Sequence, residues 1–337
     1  MRKSNSVAGT SKLFGIFLQA MAVAEKPKII VILGPTASGK TELALKMARE
    51  LNGEIISADS RQIYKKMDVA TAKPLGVWRT HEGVRAYMVE GVPHYLMDIV
   101  DPGEGFSVAE FKRRALTQIK HILQRGKQPL IVGGTGLYIW SVVDNLNLPQ
   151  VVPNQKLRRS LERKQPAELV DLLKSIDPVS ARRIDLKNSR RLLRALEVAI
   201  LTGASFYQER TAGLPLFDSL QVGINWELAD LEERIKDRIA KQFNDGLIDE
   251  TQCLIRQKYS WSLPSMSGIG YHEVASFLQG ELTKNELLRR LHVATRRYAK
   301  RQLTWFRRDR RICWLQGGQY LAAMEMARKF LQKNDPV

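Results

Sequence analysis

The stretch "KIIVILGPTASGKTELALKMAREL", residues 28 to 51, constrains the fold more than any other part of the chain. Its opening "KIIVIL" is an apolar run with no polar alternation, the pattern of a parallel strand buried on both faces. "KTELALKMAREL" then places Leu43, Met47 and Leu51 at helical spacing. Between the two, Gly34, Gly39, Lys40 and Thr41 match the pattern G-x-x-x-x-G-K-[ST]. Strand, glycine loop and helix in this order predict a phosphate-binding turn built from Gly34, Pro35, Thr36, Ala37, Ser38 and Gly39. Its amides and Lys40 would surround phosphate oxygens, and Thr41 would set its hydroxyl on a magnesium ion. The pattern leaves open whose phosphates these are.

Strands and helices continue to alternate downstream. "EIIS" (54 to 57), "YLMDIV" (95 to 100) and "PLIV" (129 to 132) read as strands, and the last empties into "GGTG". "SVAEFKRRALTQIKHILQRG" (107 to 126) opens on a capping box at Ser107 and Glu110 and closes at Gly126, which predicts a helix. The expected fold class is α/β, a P-loop NTPase-like doubly wound parallel sheet with an all-helical insertion domain. The insertion is read from 153 to 203, where consecutive helices are punctuated by Pro153, Pro166 and Pro178. "LQVGINW" (220 to 226) restores a strand, and 230 to 311 is again helical, with a last helix from about 284 to 308. The expected organisation is an N-terminal extension without order (1–26), a catalytic core (27–150 and 219–337) and a helical insertion (151–218).

Lys and Arg total 53 against 35 Asp and Glu, a net charge of +18. Such a surplus points to a polyanionic partner. Cys253 and Cys313 are too few and too far apart for a disulfide framework or a zinc knuckle, and the histidines show no ligand spacing. "LFGIFLQAMAVA" (13 to 24), behind Arg2, Lys3 and Lys12, resembles a signal peptide but is too short and interrupted to span a bilayer. The glycine loop begins only about ten residues later, so a loose extension or an over-early start codon is favoured over targeting. A cytoplasmic monomer without membrane attachment is expected.

An ATP-hydrolysing protein with this loop normally carries an aspartate at the end of a second apolar strand. Here "PLIV" ends in Gly133, Gly134 and Thr135, which argues against hydrolysis. The nearest acid is Asp59. Ligands of open parallel sheets collect at the carboxyl ends of strands, so Asp59 and Thr135 should face the loop's ligand. Asp59 has a plainer alternative as a helix cap. Ser60 is equally able to cap, which would leave Asp59 free for chemistry.

"KNELLRRLHVATRRYAKRQLTWFRRDRR" (284 to 311) holds eleven Lys and Arg against Glu286 and Asp309, a net +9. On a helical projection Arg290, Arg297, Arg301 and Arg308 form one row, and Arg289, Arg296, Lys300 and Arg307 form a second. Leu287, Leu291, Ala294, Tyr298 and Trp305 lie opposite. The near exclusion of acids favours contact with a phosphate backbone over a merely solvated face. "NSRRLLRALE" (188 to 197) repeats the pattern through Arg190, Arg191 and Arg194, as if one molecule were gripped from two sides. Arg234 and Arg238 lie one helical turn apart, either as ion-pair partners of neighbouring acids or as cations for a departing diphosphate.

The stretch "GPTASGKTELALKMARELNGEIISADSRQIYKKMDVATAKP" closely resembles tRNA dimethylallyltransferases. So do "PHYLMDIVDP", "IVGGTGLY", "RRLLRALEV", "GIGYHEV" and "KRQLTWFR", in family order from about residue 28 to 315. The first 26 residues and the final helix lie outside the resemblance. The resemblance implies transfer of a dimethylallyl group from dimethylallyl diphosphate to the N6 amine of the adenosine beside a tRNA anticodon. The loop would then hold an isoprenoid diphosphate rather than the tail of ATP. Lys40, the loop amides, Mg2+ at Thr41, and Arg234 and Arg238 would neutralise the departing diphosphate. Asp59 would accept the amine proton, Thr36 and Thr135 would orient substrate, and the target base would leave its stack.

Carrying the family's tRNA-contacting segments onto matching positions implies four segments, 59–62, 190–194, 267–272 and 300–307. These are Asp59, Ser60, Arg61 and Gln62; Arg190, Arg191, Leu192, Leu193 and Arg194; Ser267, Gly268, Ile269, Gly270, Tyr271 and His272; and Lys300, Arg301, Gln302, Leu303, Thr304, Trp305, Phe306 and Arg307. Eukaryotic relatives often append a zinc finger, which two lone cysteines cannot supply, so a bacterial-type enzyme is expected. The rival readings are an adenylate isopentenyltransferase acting on free nucleotides, an ATP-dependent small-molecule kinase, and an RNA-binding protein with a vestigial site. Activity is expected to need magnesium and to consume no ATP.

Overall fold

The computed structural model describes residues 26–149, 151, 154–207 and 211–333. The expected N-terminal extension, apart from Lys26, lies outside them, as does Pro153. The chain runs β1 (Lys28–Leu33), α1 (Lys40–Glu50), β2 (Gly53–Ser57), β3 (Val77–His81), β4 (Val84–Val89), β5 (Val92–Tyr95), α2 (Val108–Gln124), β6 (Gln128–Gly133) and α3 (Gly136–Val143). Four helices follow, α4 (Gln155–Glu162), α5 (Pro166–Ile176), α6 (Pro178–Arg183) and α7 (Ser189–Thr202), and then β7 (Asp218–Asn225). The remainder is α8 (Leu228–Asn244), α9 (Leu247–Arg256), α10 (Tyr271–Leu278), α11 (Lys284–Phe306), β8 (Ile312–Gln316) and α12 (Tyr320–Gln332).

All eight strands form one mixed sheet in the order β3-β4-β5-β2-β6-β1-β7-β8. From β5 to β8 every neighbour pairs in parallel, while β3 and β4 add an antiparallel edge. β1 lies inside this sheet and packs on both faces. Ile29, Val31 and Leu33 meet Phe111, Ala115 and Ile119 of α2, whereas Ile30 and Ile32 meet Ala44 and Met47 of α1 and Met324 of α12. Each fully buried Ile or Leu contributes about 1.5–3 kcal/mol, so a strand with two buried faces has no place for a polar residue.

Two further cores complete the fold. Residues 63–70 pack with α8, α9, α10 and α11 through Ile63, Met67, Ile235, Leu247, Tyr271 and Leu291. Helices α4 to α7 enclose a core of their own around Leu161, Leu173, Leu192 and Leu196. Pro166 and Pro178 stand at the first position of α5 and α6, where a missing N–H costs nothing. The two connections that lead into and out of these helices are tied side by side. The Asn147 amide donates to the Thr211 carbonyl (2.8 Å), its Nδ2 to Thr211 Oγ1 (3.1 Å), and Asn145 Nδ2 to the Leu214 carbonyl (3.0 Å).

Some expectations need correction. The strand expected at 95–100 is instead β5 at 92–95, because Leu96 and Asp98 have φ of 58° and 55° and turn the chain out of the sheet. β3, β4 and β8 were not expected at all. Ser107 caps α2 by accepting the Glu110 amide (3.1 Å), but the box closes on one side only, since the Glu110 carboxylate pairs with Arg113 and Arg114. No helix among the described residues is long and apolar enough to cross a membrane.

Candidate active site

The glycine loop is held in shape by residues far away in sequence. Gly34 has φ 152°, and a Cβ there would lie 2.7 Å from the Ile224 carbonyl oxygen on β7. Gly39, at φ 88°, turns the chain into α1. Trp226 Nε1 donates to the Ser38 carbonyl (2.9 Å), and Arg234 Nε donates to the Ala37 carbonyl (2.8 Å) with its guanidinium 4.4 Å from the Trp226 ring centre. Gln302 of α11 is buried and uses both ends of its amide. Its Oε1 accepts from the Thr36 amide (2.8 Å) and its Nε2 donates to the Gly134 carbonyl (2.9 Å). The loop and the end of β6 are thus fastened to each other through α11.

A cavity of about 260 Å³ opens where β1, β2, β5 and β6 end. Thr36, Lys40 and Thr41 line it together with Asp59, Arg61, Gln62, Arg238, Tyr298 and Arg301. Ile55, Ala70, Ala72, Met97, Val132, Leu247, Ile269 and Leu291 supply apolar lining. The Lys40 ammonium folds onto the Pro35 carbonyl. Burial draws its pKa down to about 7, opposed by Asp59 and assisted by Arg238. Burial likewise lowers Arg238, again against the pull of Asp59. The two arginines that the sequence left ambiguous therefore separate. Arg238 enters the cavity and donates to the Thr71 carbonyl (3.2 Å), while Arg234 braces the loop. Among the described residues neither forms an ion pair with a neighbouring acid.

Asp59 caps a turn rather than a helix, and it faces the cavity. Its Oδ1 accepts from the amides of Arg61 (2.8 Å) and Gln62 (3.3 Å), which caps the turn after β2, and its side chain lines the cavity. Ser60 does not cap. Its amide donates to Thr135 Oγ1 (3.0 Å) and its hydroxyl accepts from the same oxygen (3.3 Å). Thr135 is consequently turned to the 59–62 turn and does not line the cavity; it fixes the backbone that presents Asp59.

Three of the segments expected to touch tRNA converge on one hydroxyl. Ser267 Oγ accepts from Arg61 Nη2 (3.1 Å) and from Arg190 Nη1 (3.3 Å). Gly268, Ile269, Gly270 and Tyr271 line the cavity, whereas His272 is exposed and lies 5.3 Å from the Trp261 ring. Within 190–194 the residues divide. Arg190 and Arg191 are exposed, Leu192 is core and Leu193 packs beside it, and Arg194 pairs with the fully buried Glu197 and donates to the Val151 carbonyl (2.8 Å). Burial pushes the Glu197 carboxyl up, but Arg158, Arg194 and the Asn154 amide together hold it below the usual carboxylate range. Arg194 is therefore committed inside the helical insertion.

α11 divides in the same manner. Phe306 is fully buried, Leu303 is half-buried, and Trp305 lies 5.0 Å from Trp140, so these residues hold the helix to the core. Arg301 leaves its row to line the cavity, 5.7 Å from the Tyr298 ring, and Arg296 pairs with Glu232 (3.0 Å). Arg297, Lys300, Arg307 and Arg308 are exposed and have no carboxylate partner among the described residues, while Thr304 Oγ1 donates to the Lys300 carbonyl (2.9 Å). Sequence reasoning did not select Thr71, Gln242 or Tyr298. The available signal was "MDVATAK", whose small residues Ala70 and Ala72 form one wall.

Residues 62–309 match the IPP transferase family, and residues 27–92 match the isopentenyl transferase family. The chain belongs to the IPP transferase family. Among its relatives, a tRNA dimethylallyltransferase of Desulforudis audaxviator is 43% identical over 312 residues, covering 89% of this chain and 96% of the relative. That of Carboxydothermus hydrogenoformans is 43% identical over 299 residues, covering 87% and 93%. The crystal structure of the tRNA isopentenylpyrophosphate transferase from Bacillus halodurans superposes with a TM-score of 0.65 at 37% identity, covering 91% of this chain and 96% of that one. A eukaryotic dimethylallyltransferase acting on tRNA reaches a TM-score of 0.75 at 27% identity, covering 92% and 81%. The two matched family spans run from β1 to just beyond α11 and so take in the glycine loop, the cavity and the basic helix.

Proposed function

We propose that the chain transfers a dimethylallyl group from dimethylallyl diphosphate to the N6 amine of the adenosine adjacent to the anticodon in certain tRNAs, releasing diphosphate. The observation that carries the reading is one cavity lined by Lys40, Arg238 and the carboxylate of Asp59, beside a helix whose exposed Arg297, Lys300, Arg307 and Arg308 have no carboxylate partner among the described residues. In this reading a P-loop NTPase-like core (27–150 and 219–337) holds the donor, and the helical insertion (151–218) closes on the tRNA from the other side. The protein acts as a cytoplasmic monomer.

The N6 lone pair attacks the allylic carbon as the carbon–oxygen bond breaks, and the electron pair of that bond leaves on the diphosphate. Lys40, the loop amides and Arg238 neutralise the growing charge. N6 is a weak nucleophile because its lone pair is delocalised into the ring, so its proton must find a base, and Asp59 takes it. Magnesium suits this site. Thr41 offers an exposed hydroxyl on the cavity wall, and the one three-ligand cluster among the described residues (Glu54, His81, Glu82) lies elsewhere. A single protein ligand fits an ion that keeps its waters and binds through substrate phosphates. When bound, it adds positive charge beside the departing diphosphate.

A kinase reading is disfavoured because β6 ends at Gly133 and is followed by Gly134 and Thr135, with no strand-end carboxylate for a nucleotide's magnesium. A free-nucleotide transferase would have no use for Arg297, Lys300 and Arg307. The test is incubation of labelled dimethylallyl diphosphate and magnesium with unmodified tRNA, with AMP, and with ATP plus candidate acceptors. Label should enter tRNA alone, with diphosphate released and no ADP formed. Label in AMP only, or ADP stoichiometric with modification, would overturn the reading.

Donor binding should also be linked to protons. Above about pH 7 the free enzyme holds Lys40 increasingly neutral, whereas a bound diphosphate favours the ammonium. Binding then takes up a proton, and below that pH the lysine is already charged and uptake fades. Titration calorimetry at about pH 8, in buffers of different ionisation heat, should show uptake that shrinks toward about pH 6 and vanishes in Lys40→Met. Uptake that does not change with pH would assign the diphosphate to other groups.

A further inference from the structure

Glu250 lies in the first turn of α9, half-buried, and its carboxylate accepts four hydrogen bonds. Oε2 accepts from the amides of Asp68 (2.6 Å) and Val69 (2.7 Å), and Oε1 from the amide of Ala70 (3.0 Å) and the Tyr271 hydroxyl (3.0 Å). The carbonyl side of the same loop is held by other residues. Gln242 Nε2 donates to Val69 (3.1 Å) and Ala70 (2.8 Å), and Gln62 Nε2 donates to Thr71 (3.3 Å) and Ala72 (3.1 Å). Three consecutive amides aimed at one anion are charge-assisted bonds that no neutral group of the same size replaces in full.

The position matters because of what the two bonded segments do. Ala70 and Ala72 line the cavity from one segment, and Gly268, Ile269 and Gly270 line it from the other. Tyr271 anchors the second segment, since a Cβ at Gly268 would lie 3.2 Å from its ring. Apart from Thr71 and Ile269, these stretches of wall are alanine and glycine, with almost no side chain to adjust. The width between them is set by where the backbones stand, and one carboxylate holds both.

We propose that Glu250 is a positioning residue that fixes the width of the cavity and so limits the bulk of the prenyl chain accepted. This rests on the donor assignment under Proposed function. The experiment compares wild type, Glu250→Gln and Tyr271→Phe, measuring kcat/KM for dimethylallyl and for geranyl diphosphate at saturating tRNA, with a thermal melt of each protein. The Gln side chain keeps one acceptor oxygen but turns an NH2 donor toward amides that also donate. The preference for the five-carbon donor over the ten-carbon donor should fall by about tenfold in Glu250→Gln, and by less, in the same direction, in Tyr271→Phe. Partial unfolding scales both donors equally and leaves that ratio unmoved. A ratio unchanged in both variants overturns the proposal, and if Glu250→Gln does not fold, the ratio in Tyr271→Phe decides alone. Failure of the wild type to use dimethylallyl diphosphate with tRNA would instead remove the donor assignment.

Discussion

Asp59→Asn should lower kcat by about 10²–10⁴-fold, the usual weight of a general base. The substitution is well suited to the question because the amide oxygen can still accept from the amides of Arg61 and Gln62, so the turn after β2 survives. It cannot take a proton from N6. tRNA and donor should bind about as before, since other groups hold the phosphates and Ser267 stays bonded to Arg61 and Arg190. Single-turnover rates at saturating substrate isolate the chemical step from product release. A variant within about threefold of wild type would confine Asp59 to capping the turn.

Gln302→Leu should have the largest effect on stability. It keeps the volume but leaves the Thr36 amide and the Gly134 carbonyl buried without partners. Each such group costs about 1–3 kcal/mol, so the two together cost about 2–6 kcal/mol. At the roughly 2 °C per kcal/mol expected for a chain of this size, the melting temperature should fall by about 4–12 °C. Because Thr36 belongs to the loop, KM for the donor should rise as well. Gln302→Glu, which keeps the acceptor and loses the donor, should fall between the two. A melting temperature within about 1 °C of wild type would mean that the loop is held by Trp226 and Arg234 alone.

What the sequence reveals follows from the range of the interactions involved. β1, the glycine loop and α1 are legible because they are contiguous and both faces of the strand are buried. β3 is an exposed edge strand reading "VWRTH", and β8 reads "ICWLQ"; neither has the unbroken apolar run of a central strand or a clean alternation. The end of β5 depends on left-handed backbone at Leu96, a non-glycine residue that carries no local warning. At the site, the resemblance placed Gln302 in a segment expected to meet tRNA. Its partner Thr36 stands 266 positions away, a distance at which no local pattern operates. Arg194 shows the opposite case, for its pairing with Glu197 three residues later was already readable as a helical neighbour.

The paired connections at residues 145–147 and 211–214 bear on how such a chain could have been assembled. Where the chain leaves the sheet and where it returns are already side by side, so whatever lies between them need not span any gap. Closing a longer excursion across such a junction costs only about 0.6 kcal/mol for each doubling of its length. A stretch of gene could therefore grow, shrink or be exchanged there while β1, β6 and β7 kept their register. The helical insertion can change by replacement, while the sheet and the cavity at its strand ends keep their geometry.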